Sequence, residues 1–104
     1  MDLAFKSREL RAICENQETA RREFPAAVAE SLQRRLADLR AAVSPHDLIV
    51  GKPRVLTIDD REHMAVDLAD GYVLAFHPNH PSAPRNGLDW SSVNRIQIVS
   101  IERA

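Results

Sequence analysis

The chain has 104 residues, of which 44% are hydrophobic and 28% charged, with a formal net charge of −1. This composition is typical of one globular domain, so we predict a single domain over residues 1–104. No apolar run approaches the roughly 20 residues of a membrane span. The N-terminus has an acidic second residue and no long apolar core, so we predict that it is not a signal peptide. The lone Cys14 cannot form an internal disulfide. Together these features predict a cytoplasmic protein without a membrane partner.

The first quarter of the chain predicts a strand followed by a helix. Residues 2–5, "DLAF", alternate in polarity and predict a short strand. Ser7 can cap the helix that follows, since Leu10, Ile13 and Cys14 share one helical face. The segment "ENQET" interrupts this pattern, and residues 19–23 are expected to form a polar turn.

A second helix is predicted from Pro25, since proline suits the first helical position. Its apolar positions repeat every three or four residues: Val28, Leu32, Leu36, Leu39 and Val43. The "SPHD" segment at 44–47 has the spacing of a capping box and predicts another short helical turn.

The second half of the chain changes to the period of strands. Strands are predicted at residues 54–58, 64–68, 72–76 and 93–101, and Asp70-Gly71 predicts a hairpin turn between the second and third of them. The predicted order is β-α-α-β-β-β-β. This order predicts an α+β fold with two N-terminal helices on one face of a twisted, mostly antiparallel sheet of four to five strands.

Several segments in this order resemble the RelE/ParE superfamily of bacterial toxins, most of all its HigB-type branch. They are "RLADLRAA", "SPHDL", "GKPRVL", "VDL", "GYVLAFHPN", "GLDW" and "VNRIQIVSI". The resemblance implies the toxin of a type II toxin–antitoxin pair, commonly a ribosome-dependent mRNA endoribonuclease that needs no cofactor. It implies three partners: an antitoxin encoded adjacently, the ribosome and mRNA.

The chain differs from the usual pattern of this family at three places. Relatives usually carry Arg at the position of Val73, many carry His at Arg54, and most end in Asp-Tyr-His where this chain has Glu102 to Ala104. These differences favour a second interpretation, in which the chain is a non-catalytic interaction protein. Such a protein would bind gyrase, as ParE-like members do, or only its antitoxin.

Cleavage of RNA without a metal requires a group that moves protons and cations that hold the phosphate. We predict Arg54, Arg61 and His63 as catalytic residues, with the arginines on the phosphate and His63 as the proton carrier. We expect these three to meet Arg103 on the exposed sheet face. The alternative for His63 is a solvated histidine in the loop before the hairpin. Further RNA contacts are predicted from four basic residues: Lys52, Arg85, Arg95 and Arg103.

His77 and His80 lie three residues apart in "HPNHP", a spacing that occurs in metal sites. A zinc site needs further ligands, and the two prolines keep this segment extended. We therefore predict that it is a connector and that the chain has no metal site. Trp90 and Asp89 are predicted to be structural, with the indole in the core and the carboxylate capping a turn.

Overall fold

The structure is a computed structural model that describes residues 1–81 and 83–104. In these residues the chain forms one mixed sheet of five strands and three α-helices, which confirms the α+β class. The elements are β1 (Asp2–Phe5), α1 (Arg8–Glu15), α2 (Gln17–Glu23), α3 (Ala26–Ala41), β2 (Arg54–Ile58), β3 (Arg61–Asp67), β4 (Tyr72–Pro78) and β5 (Arg95–Arg103). The strand order is β1-β5-β4-β3-β2, with β1 parallel to β5 and every other pair antiparallel.

The expectation of two N-terminal helices is wrong, because the polar segment after Glu15 forms a helix of its own. Asn16 has an extended backbone that ends α1, and its side-chain oxygen accepts a hydrogen bond from the Thr19 amide at 3.1 Å. One asparagine therefore ends one helix and caps the next. The predicted polar turn at 19–23 is the second half of α2.

The predicted apolar face of α3 is confirmed except at its last position. Val28, Leu32, Leu36 and Leu39 are fully or almost fully buried. Val43 is 78% exposed, because the helix ends at Ala41 and the extended backbone of Ala42 breaks the helical phase before Val43. The capping box at Ser44 and Asp47 is present, around a short 3₁₀ turn.

The helices pack on one face of the sheet, called the covered face. It carries the core side chains Met64, Val66, Leu74, Phe76, Ile96 and Ile98. Trp90 packs edge-on against Phe76 with ring centroids 6.3 Å apart, so its predicted place in the core is confirmed.

Side chains in a strand alternate between faces. The opposite face, called the open face below, therefore carries His63, Ala65, Ala75, His77 and Gln97. All of these except Gln97 are nevertheless buried.

The hairpin between β2 and β3 is tighter than the sequence predicts. Asp59 and Asp60 both have positive φ, at 50° and 60°, so two residues complete the turn and β3 begins at Arg61. The predicted start of β3 at Met64 is therefore three residues late. The hairpin at Asp70-Gly71 is confirmed, with positive φ at both residues, and Ala69–Gly71 link the strands.

None of the helices described is long and apolar enough to cross a membrane.

Candidate active site

A depression of about 460 Å³ lies on the open face. Four strands, the residue after β1 and the loop before Trp90 contribute to it. Its lining contains two histidines, three cationic side chains, two carboxylates and four uncharged residues. They are Lys6, Ile58, Asp59, Arg61, His63, His77, Arg85, Gln97, Val99, Ser100 and Glu102. Titratable groups beside fixed cations are the chemistry that a phosphodiester requires for cleavage.

Strand β3 brings Arg61 and His63 into the depression, and both were predicted from the sequence. Arg61 donates from Nη2 to the carbonyl of Pro78 at 3.1 Å, which directs its guanidinium across β4. His63 is 5% exposed, and its Nδ1 lies 2.9 Å from the carbonyl of Arg61. The interpretation of His63 as a solvated loop residue is therefore wrong, because β3 starts before it.

His77 lies beside His63 and was not predicted as a site residue. The two rings are nearly perpendicular, with centroids 5.1 Å apart. His77 is 8% exposed, and its Nδ1 lies 2.8 Å from the carbonyl of Pro78. Burial lowers the pKa of His77 from its ordinary value, the hydrogen bond to the Pro78 carbonyl partly opposes this shift, and the positive charge of Arg61 adds to it. The alternation of β4, continued beyond Phe76, is the sequence signal for this residue.

Other cations frame the depression. Arg85, predicted to contact RNA, donates from Nη2 to the carbonyl of Asp59 at 2.9 Å, while its own carbonyl accepts from the Glu62 amide at 2.7 Å. Lys6 follows β1, and its amide donates to the carbonyl of Ile98 at 2.9 Å. No sequence signal indicated Lys6, because its position depends on the parallel pairing of β1 with β5.

The structure does not bring the other predicted residues into the depression. Arg54 lies on the open face but forms an ion pair with Asp67 at 2.9 Å and donates to the carbonyl of Lys52 at 3.0 Å. The expectation that Arg103 meets His63 is wrong, because Arg103 is paired with Tyr72 on the covered side, 6.0 Å from its ring centroid. Lys52 and Arg95 are exposed and lie outside the lining. The roles of all four in RNA binding or catalysis stay predictions.

Neither Cys14 nor a metal cluster contributes to this site in the described residues. Cys14 is buried on α1, and burial raises the pKa of its thiol to about 12, which keeps it uncharged near neutral pH. Within residues 1–81 and 83–104, no group of three or more His, Cys, Asp and Glu side chains could hold a metal ion.

Comparisons of the chain with protein-family models, curated proteins and solved structures find no match. The function is therefore inferred from the depression and from the residues that line it. His63 can exchange a proton, Arg61 keeps its positive charge at every physiological pH, and Lys6 and Arg85 add positive charge to the same depression. This arrangement suits the binding and cleavage of a phosphodiester.

Proposed function

We propose that the chain is the toxin of a bacterial type II toxin–antitoxin pair, of the RelE/ParE-like HigB type, and cleaves mRNA on the ribosome. One observation carries the proposal: Arg61 and His63 lie in the same depression of the open face as Lys6 and Arg85. Cleavage by these residues needs no metal, because arginine and lysine supply the positive charge that the phosphate requires.

The roles follow from the chemistry of each side chain. Arg61 is held by the Pro78 carbonyl, so its guanidinium is already oriented when the negative charge of the transition state develops. His63 exchanges the proton, because arginine cannot act as a base. Lys6 and Arg85 are exposed and contact the RNA backbone on either side of the scissile phosphate.

Expression of the chain alone in a bacterial host tests the proposal. We expect growth arrest, with new mRNA 5′ ends at translated codons when the ends are mapped after induction. Co-expression of the small protein encoded adjacently should restore growth. Mapped ends confined to untranslated RNA would contradict cleavage on the ribosome, and normal growth would contradict a toxin altogether.

The ion pair that Arg54 forms with Asp67 favours a second function. This pair occupies one of the three predicted catalytic residues, which fits a toxin-like protein that binds a target such as gyrase without cutting RNA. Growth arrest with unchanged mRNA ends would support this function over the nuclease.

An apolar groove away from the open face is the surface that we assign to the antitoxin. The groove has a volume of about 390 Å³ and lies between the end of α3 and residues 43–50. Val43 and Ile49 line it and are 78% and 86% exposed, which is unusual for aliphatic side chains. Asp38 and Asp47 also line it, although Asp38 is paired with Arg35 at 3.1 Å and Asp47 accepts from the Ser44 amide at 3.3 Å. Their charge fits an antitoxin segment that combines apolar residues with a lysine or arginine.

Replacing Ile49 with serine should weaken binding of the adjacently encoded protein by about 10-fold or more, since a buried aliphatic side chain contributes about 1.5–3 kcal/mol. Titration calorimetry on the purified proteins measures this change. Val55→Ser is the matched control, because Val55 is also exposed but does not line the groove. If the two substitutions weaken antitoxin binding equally, or if neither weakens it, the groove is not the antitoxin site. RNA cleavage by both variants should stay normal.

A further inference from the structure

We propose that His77 is a second catalytic residue, the general base for the 2′-hydroxyl of RNA, and that His63 is the general acid for the leaving 5′-oxygen. This inference rests on the proposed endoribonuclease function. The reaction is the ordinary one of a metal-independent endoribonuclease, internal transesterification of RNA to a 2′,3′-cyclic phosphate and a 5′-hydroxyl. The inference concerns which side chains move the protons in it.

The hydrogen bonds of the two rings fix which nitrogen is available for catalysis. The Nδ1 atoms of His63 and His77 each bond to a carbonyl oxygen, at 2.9 and 2.8 Å. A carbonyl only accepts, so each Nδ1 carries a hydrogen. The Nε2 atoms have no hydrogen-bond partner in the part of the chain that the structure describes. Each ring can therefore take up or release a proton at Nε2.

The distance between the rings suits one phosphodiester. The centroids are 5.1 Å apart and both rings line the same depression, so one bound phosphodiester can lie against both side chains. Two charged imidazoles this close repel each other, so the pair holds one proton more readily than two. One proton on two rings is the state that acid–base catalysis requires, with one ring ready to accept and the other ready to donate.

The surroundings decide which ring is the base. His77 is buried, and it faces the cations Arg61, His63 and, at the rim, Lys6 and Arg85; Asp59 and Glu102 are the carboxylates of the same depression. Arg61 and the Nδ1 of His77 both donate to the Pro78 carbonyl, so the fixed positive charge of Arg61 lies beside His77. This placement disfavours a second positive charge on His77, and burial lowers the pKa of His77 in the same direction. His77 is therefore the ring that accepts a proton, and His63 is the ring that donates one.

The reaction balances on these two residues. Nε2 of His77 takes the proton of the 2′-hydroxyl, and the 2′-oxygen forms a bond to phosphorus. The bond from phosphorus to the 5′-oxygen breaks, and Nε2 of His63 gives its proton to that oxygen. His77 ends charged and His63 neutral, and exchange with water restores both. Arg61 stabilises the extra negative charge on the phosphorus oxygens.

Two matched substitutions test the assignment. His77→Asn and His63→Asn keep an N–H donor near the position of Nδ1 but lose the titrating Nε2. The substrate is a short mRNA on the ribosome that contains the cleavage site mapped in cells. It is made in two forms, one with the natural 5′-oxygen at that site and one with sulfur in place of this oxygen. Thermal unfolding of each variant checks the fold, and His80→Asn is the control because His80 does not line the depression.

Both variants should cleave the natural substrate about 10²–10⁴-fold more slowly, and His80→Asn should cleave normally. A sulfur leaving group needs no proton. The sulfur substrate should therefore restore cleavage by His63→Asn but not by His77→Asn. The wild-type chain should leave a 2′,3′-cyclic phosphate. On the acidic side of its pH optimum, its cleavage rate should rise with pH as His77 loses its proton.

Full activity of a folded His77→Asn variant, or its rescue by sulfur, would overturn the role of His77 while the nuclease function stands. A wild-type chain that cleaves nothing on the ribosome would overturn the proposed function, and this inference with it.

Discussion

Replacing Arg61 with alanine should lower the rate of mRNA cleavage by about 10²–10³-fold, the usual effect of removing one preorganised donor from a developing oxyanion. Arg61 is the cation closest in sequence to His63, and its contact with the Pro78 carbonyl directs its guanidinium across the strand that carries His77. Binding of the ribosome should change less than the rate, because the charge on the phosphate grows only in the transition state. Single-turnover cleavage on programmed ribosomes separates the two quantities.

Arg103→Ala is the matched control for Arg61→Ala. Its guanidinium lies near the Tyr72 ring on the covered side of the sheet, so we expect a much smaller change in rate. Equal loss of activity in the two variants would show that RNA does not bind in the depression. Arg54→Ala tests the remaining sequence-based prediction: a loss as large as that of Arg61→Ala would mean that its ion pair with Asp67 opens in the complex.

Most of the architecture could be predicted, because the responsible signals are local. The repeat from Val28 to Leu39 predicts α3, and the alternation of Tyr72, Leu74 and Phe76 predicts the central strand β4. Two errors arose where one or two polar residues set a boundary between elements. Asn16 serves two helices at once, and Asp59-Asp60 adopts positive φ without a glycine, which is uncommon in such turns.

Three of the five basic and histidine side chains in the depression could be predicted, because their chemistry is recognisable in the sequence: Arg61, His63 and Arg85. His77 was missed because its two neighbouring prolines suggested a connector. Its meeting with His63 depends on the register of β3 against β4, which sets Met64 opposite Phe76 and so places the two histidines on the other face. Lys6 enters through the parallel pairing of β1, a long-range contact that local patterns do not contain.

Phe76 joins the core to this site, and its replacement with alanine should have the largest effect on stability. The side chain is fully buried, packs edge-on against Trp90, and lies on β4 directly before His77. We expect the free energy of unfolding to fall by about 3–5 kcal/mol, because truncation leaves a cavity and removes an aromatic pair. Urea unfolding followed by Trp90 fluorescence measures this change.

Val55→Ala is the control for Phe76→Ala, since Val55 is 49% exposed on the edge strand β2 and should change the free energy of unfolding by about 0.5 kcal/mol or less. A loss below about 1 kcal/mol for Phe76→Ala would contradict the placement of this ring in the core. It would also contradict the register of β4, because a shift by one residue would exchange the faces of Phe76 and His77. Stability of the Phe76 variant therefore tests the geometry on which the paired histidines depend.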